Sequence, residues 1–195
     1  MKVIILLLSA FFWSFLPMKA LSSEGSSSPS PAQSVSTEKS PPAPLAEDTE
    51  LKSLTQKWHR FPTFAGVDLD TKTQTTFAPI PGFVSVVIFT ASYCEPCQDL
   101  AIELQKIEKH YASLYTRFLY VYSHDTFDDA RGSKKELKLA NAMLANFEIL
   151  HTFHNPELPT IYVSDRHGWL MTRFVNIKVS DVGKIEEMLR LLTSY

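Results

Sequence analysis

The sequence predicts an α/β domain in which a central mixed β-sheet is flanked by helices and preceded by an N-terminal β-hairpin. Three stretches carry that prediction. Phe83-Val84-Ser85-Val86-Val87-Ile88-Phe89-Thr90 is a β-branched and aromatic run without strict alternation, the pattern of a strand covered on both faces. Leu100, Ala101, Leu104, Ile107, Tyr111 and Leu114 then recur every three or four residues, with Glu103, Lys106, Glu108 and Lys109 between them, which describes a surface-packed helix over Asp99 to Leu114. Arg117 to Ser123 repeats the buried-strand pattern, so strand, helix, strand forms the crossover that makes parallel neighbours.

Ahead of that unit the chain changes character twice. Met1-Lys2 is a short positive region, Val3 to Pro17 is almost purely apolar, and Ala20 offers a small residue for cleavage, together an export signal. The apolar run of about 15 residues suits such a signal and falls short of the ~20 that span a bilayer comfortably. Met18 does not suit the peptidase, so residues 1–20 are read as a signal peptide or, if uncleaved, an N-terminal anchor. No cysteine lies near its end, which excludes a lipid-modified N-terminal cysteine. Either way the remainder is expected to work in the periplasm or another extracytoplasmic space. Residues 21–50 are rich in Ser and Pro and have almost no large apolar side chains, so they cannot repay chain entropy by burial. They read as a disordered linker, about 30 Å in reach, or as a stretch with no role after cleavage.

Residues 51–195 form the expected domain, and the 45% hydrophobic content of the chain is sufficient for a core. A net charge of -2 and the absence of a long basic run suggest neither nucleic acid nor an anionic membrane surface as partner. Leu51 to His59 reads as a short leading helix. Thr63 to Asp70 and Thr73 to Ile80 read as a hairpin turning at Asp70-Thr71-Lys72, ahead of the main sheet. After the crossover, Ser133-Lys134-Lys135-Glu136 has capping-box form. Leu137, Ala140, Leu144 and Phe147 follow at helical spacing, predicting a helix over Lys134 to Asn146. Leu158 to Val163 and Trp169 to Val175 flank the turn Asp165-Arg166-His167-Gly168 as an antiparallel hairpin. Ser180-Asp181 opens a last helix with Val182, Ile185, Leu189 and Leu192 on its apolar face.

The chemistry concentrates at Cys94-Glu95-Pro96-Cys97, which holds both of the chain's 2 cysteines and lies between the first strand of the crossover and its helix. Two thiols at that spacing can open and close a disulfide without rearranging the fold. The thiolate is the reacting species, and unpaired N–H groups at the helix start stabilise it. Pro96 fits the first helical turn, where its missing N–H costs nothing. Cys94 is therefore the attacking residue, and Cys97, one turn in and less exposed, resolves the mixed disulfide. A Glu95 carboxylate roughly 7 Å away opposes the thiolate by about 0.6 kcal/mol in water, so this pair is expected to be less oxidising than one with histidine there. The exchange needs no cofactor or metal.

Two alternatives stand beside this reading. A disulfide closing so small a loop is a poor structural staple, because it removes little unfolded-state entropy. A metal site would need His151 and His154 beside the two cysteines, but zinc pairs usually show a second close pair, and histidines at this spacing commonly line a solvated helix face. Asp99, Glu103 and Asp125 read as solvated.

Val86 to Cys97 (Val-Val-Ile-Phe-Thr-Ala-Ser-Tyr-Cys-Glu-Pro-Cys), with Leu158-Pro159-Thr160 and Asp165-Arg166-His167-Gly168, resembles the thioredoxin fold and specifically the exported TlpA-like thiol-disulfide oxidoreductases linked to cytochrome c maturation. The resemblance covers Phe64 to Tyr195. It implies a thioredoxin-like fold in which Ser123 to Pro159 holds a helical insertion. It further implies that Pro159 is a cis proline facing the cysteines, with Leu158, Pro159 and Thr160 meeting a partner peptide. Tyr93 stands where the family usually has Trp, which keeps an aromatic lid without the indole donor. Ile88 stands where thioredoxins proper carry a buried acid, so proton transfer from Cys97 is left to water or to Asp99 or Glu103. Copper chaperones of related fold place three residues between their cysteines, against the two here. The expected partners are protein disulfides, and a reductant in an oxidising compartment implies an electron donor such as a membrane dithiol carrier. The rival from another class is a non-catalytic binding module or metal-binding chaperone on the same fold.

Overall fold

The computed structural model describes residues 60–194. Along them the chain forms β1 (Phe64–Asp68), β2 (Gln74–Phe77), β3 (Val84–Thr90), α1 (Glu95–Tyr111), β4 (Thr116–Tyr122) and α2 (Phe127–Leu137). It continues through β5 (Ala142–Leu144), α3 (Phe147–Thr152), β6 (Thr160–Ser164), β7 (Leu170–Val175) and α4 (Val182–Thr193). The helix expected over Leu51 to His59, the segment 1–20 and the linker 21–50 lie outside the described residues.

Seven strands make one mixed sheet in the order β2-β1-β5-β4-β3-β6-β7. Every residue of β3 is buried, as its unalternating apolar run predicts. β3 pairs parallel with β4 and antiparallel with β6, and β6 pairs antiparallel with β7. Side-chain alternation divides the core between the two faces. On one face Val84, Val86, Ile88, Phe118 and Tyr120 pack with Leu100, Leu104 and Ile107 of α1, Ala130 of α2, and Ile185 and Leu189 of α4. On the other, Val87, Phe89, Val121 and Tyr162 meet Ile149 of α3 and an aromatic group made by Phe61, Phe64, Phe77 and Phe153. This is the thioredoxin-like architecture that the sequence predicts, with a hairpin extension at one edge.

The hairpin turns where expected. Asp68 Oδ1 accepts from the N–H of Asp70 at 2.9 Å and of Thr71 at 2.8 Å, and from the Thr71 hydroxyl at 3.0 Å. The Thr71 N–H is the main reason that the Asp68 carboxyl is held below its ordinary range. The hairpin is not separate from the main sheet, however, because β5 pairs with β1 on one side and β4 on the other.

The helix expected over Lys134 to Asn146 is corrected. Thr126 caps a helix that starts earlier, its side chain accepting from the Asp129 N–H at 3.2 Å, and Lys138 ends it in the left-handed region at φ 55. Ser133 lies inside that helix, its hydroxyl accepting from the Tyr122 hydroxyl at 3.1 Å instead of capping. Ala142–Leu144 is a strand because it has a partner on both sides, Tyr120 to Tyr122 and Val67 to Asp68. The span between Ser123 and Pro159 is therefore helix, strand, helix. Phe147, which its spacing puts on an apolar helical face, is 82% exposed at the start of α3.

Candidate functional site

β3 delivers the chain to the end of the sheet, and the sequence after Thr90 turns it into a helix. The Cys94 N–H donates to the Ala91 carbonyl at 3.2 Å, and the Cys94 carbonyl accepts from the N–H groups of Cys97 at 3.0 Å and Gln98 at 3.1 Å. Cys94 is thus the N-cap of α1, with Glu95 and Pro96 in its first turn. A proline there loses no helical hydrogen bond, and the helix directs its unpaired N–H groups toward the first cysteine.

Cys94 and Cys97 are joined in a disulfide with their Cα atoms 5.2 Å apart. They differ in access. Cys94 is half-buried beside exposed Glu95 and Pro96, and Tyr93 before it is 66% exposed, whereas Cys97 is 2% exposed. One sulfur can be reached and the other is screened.

β6 closes a second side. The antiparallel register sets Thr160 beside Phe89, so Pro159 stands next along, at the strand end from which the cysteine turn departs. The Leu158–Pro159 peptide bond is cis, Pro159 is buried and Leu158 half-buried. The Thr160 hydroxyl donates to the Glu157 carbonyl at 2.6 Å and fixes the bend into β6.

The loop after β4 forms a third side, and it holds what the sequence reading missed. The Ser123 N–H donates to the Thr90 carbonyl at 2.8 Å, tying the loop to the end of β3. Asp125, expected to be solvated, instead accepts from the Ser92 N–H at 3.0 Å and from the Ser92 hydroxyl. The Ser92 carbonyl in turn accepts from Gln98 Nε2 at 2.6 Å. His124, at φ 61, places Nε2 3.0 Å from Asn155 Oδ1 and so links this loop to the one before β6. A serine and an acid thirty-three residues apart give no local signal; only the parallel pairing of β3 and β4 brings them together.

Ile88 is buried and apolar. Asp99 is exposed, and two residues beyond Cys97 it points to a different side of the helix. Glu103 is six residues beyond, about 9 Å along the axis, and pairs with Lys106 at 2.7 Å. Neither is positioned to take the Cys97 proton. His151 and His154 are exposed, and His154 lies beyond the end of α3 at φ 56. Among the described residues no group of three or more His, Cys, Asp or Glu side chains is close enough to hold a metal ion. No described helix is long and apolar enough to cross a membrane.

No protein-family model matches the chain, and no curated protein matches it by sequence. Solved structures do. A thioredoxin-family thiol:disulfide interchange protein from Chlorobium tepidum is 22% identical with a TM-score of 0.59, covering 68% of this chain and 96% of its own. A secreted Mycobacterium tuberculosis disulfide oxidoreductase is 15% identical with a TM-score of 0.58, covering 66% and 96%. A thiol:disulfide interchange protein from a Bacteroides species is 15% identical with a TM-score of 0.59, covering 71% and 90%. At these identities the likeness establishes the thioredoxin fold.

Proposed function

We propose that this chain is an exported thiol-disulfide oxidoreductase that reduces disulfides of partner proteins. The observation that carries the reading is the unequal access of two bonded cysteines at a helix N-terminus, Cys94 reachable and Cys97 screened. Reduced, Cys94 attacks one sulfur of a partner disulfide as the thiolate, and the partner's other sulfur leaves as a thiolate and takes up a proton. Cys97, having given up its proton to water, then attacks the Cys94 sulfur, releases the partner's second thiol and leaves the Cys94–Cys97 disulfide. Two electrons have passed to the partner, and a membrane dithiol carrier restores the dithiol.

Tyr93, Glu95 and Pro96 form the exposed rim around Cys94 and tune its approach and charge. Leu158, Pro159 and Thr160 form the opposite wall, offering backbone groups at the entrance to β6. Because the reactive sulfur lies at an exposed turn, a protein segment suits it better than an enclosed small molecule. The apolar residues 1–20 direct export or anchor the chain, and residues 21–50 tether the domain 51–195. The neighbours named as interchange proteins and as a secreted oxidoreductase support redox work outside the cytoplasm.

The test is a redox titration of the full chain with an insulin-reduction assay. A reversible two-electron transition is expected, with activity lost in Cys94→Ser and partners trapped as stable mixed disulfides by Cys97→Ser. Absence of the transition, or activity unchanged in Cys94→Ser, would favour a binding module instead.

A further inference from the structure

Ser92 and Gln98 bracket the cysteine pair, and they are bonded to each other. The Gln98 side chain donates to the Ser92 carbonyl at 2.6 Å, closing a ring of backbone that runs through both cysteines. From outside the ring, the two donors of Ser92 converge on one carboxylate, that of Asp125. Asp125 itself stands between two fixed points. On one side Ser123 is bonded to Thr90 of β3; on the other Thr126 caps α2 and its hydroxyl donates to Asp129 Oδ2 at 2.6 Å. The segment carrying the cysteines is thus pinned to the sheet through Ser92, by hydrogen bonds to a charged acceptor, which are roughly twice as strong as neutral ones.

We propose that Asp125 is a positioning residue of the exchange site, acting through Ser92 to set how strongly the Cys94–Cys97 disulfide is favoured over the dithiol; the proposal rests on the oxidoreductase reading above. Forming an internal disulfide requires Cys97 to stay within reach of Cys94. A turn held at Ser92 and closed by Gln98 keeps the two at high effective concentration, so less entropy is lost when the bond forms. The carboxylate adds a second contribution of the same sign. Any thiolate formed in the dithiol carries a negative charge that the neutral disulfide lacks, so a fixed carboxylate beside the turn disfavours the reduced form. Both effects make the pair a stronger reductant.

The two contributions separate by substitution. Asp125→Asn keeps an acceptor for the Ser92 N–H and removes the charge. Asp125→Ala removes both, and Ser92→Ala removes the hydroxyl donor while leaving charge and backbone intact. The full-length chain and each variant are equilibrated with glutathione and its disulfide, so that protein dithiol plus glutathione disulfide gives protein disulfide plus two glutathione. Circular dichroism checks that each is folded. Asp125→Ala is expected to lower the equilibrium constant for protein disulfide formation about tenfold, equivalent to about 30 mV toward a less reducing pair. Ser92→Ala and Asp125→Asn should fall between it and wild type. Should Asp125→Ala fail to fold, the intermediate pair decides. If the folded variants stay within twofold of wild type, Asp125 is structural and the proposal is overturned while the oxidoreductase reading stands. If wild type itself shows no reversible two-electron transition, both fall.

Discussion

Glu108 shows what one side chain costs this fold. It lies half-buried on α1, and burial raises its carboxyl above the ordinary range despite a 3.5 Å contact from the Tyr120 hydroxyl. A carboxyl raised in the folded state binds more protons there than in the unfolded chain between the two pKa values, so stability falls as pH rises through that window. Glu108→Gln is therefore expected to raise the urea midpoint at pH 7, with the gain vanishing below about pH 4, where the carboxyl is protonated in both states. A gain that persists undiminished at pH 3.5 would point to packing instead. Residue-level legibility followed the same logic of context. Ile88 and Tyr93 sit beside their motif in sequence, so their place could be read directly. Asp125 could not, because its partner Ser92 reaches it only through the sheet.

At the scale of elements, the strands and helices that carry long periodic patterns were legible, whereas the short β5 and α3 were not, and α2 starts at Phe127, ahead of the Lys134 its apolar spacing suggests. β3, α1, β4, the β6–β7 hairpin and α4 each leave a burial period in the sequence. β5 is three residues long, and Leu144 happens to fall at helical spacing from Leu137 and Ala140. Its identity comes from the neighbours on either side. Gly66 reports how close that packing is, since a Cβ there would stand 2.8 Å from the Leu144 carbonyl oxygen and 2.8 Å from Met143 Sδ. The sulfur can move, but the backbone oxygen cannot without disturbing the β1–β5 pairing. Gly66→Ala should cost about 1–3 kcal/mol in chemical denaturation. It should also speed amide exchange in β1 and β5 ahead of β3. Uniform destabilisation without that local loss would mean that the strain spreads through the sheet.

At the scale of the whole molecule, redox state and folding are one equilibrium. Closing the Cys94–Cys97 bond in the folded chain is more favourable than in the unfolded chain by the same free energy by which the oxidised fold outlasts the reduced one. Two electrostatic influences on the reduced form nearly cancel. The N-terminus of α1 favours a thiolate by about 0.3–1 kcal/mol, and the exposed Glu95 opposes it by about 0.6 kcal/mol. What remains is the Asp125 carboxylate, whose charge also acts against a thiolate, and geometry. The fold holds the two Cα atoms 5.2 Å apart, within the range a disulfide needs, on a turn closed by Gln98 and tied to Asp125. The oxidised chain is therefore expected to be the more stable form, as a reductant requires. Unfolding in urea should show a higher midpoint for the oxidised protein than for the same protein kept reduced with excess dithiol. Each 30 mV by which the folded pair lies below the unfolded one appears as about 1.4 kcal/mol of that difference. A reduced form more stable than the oxidised one would reverse the direction of electron flow and make the protein an oxidant of its partners.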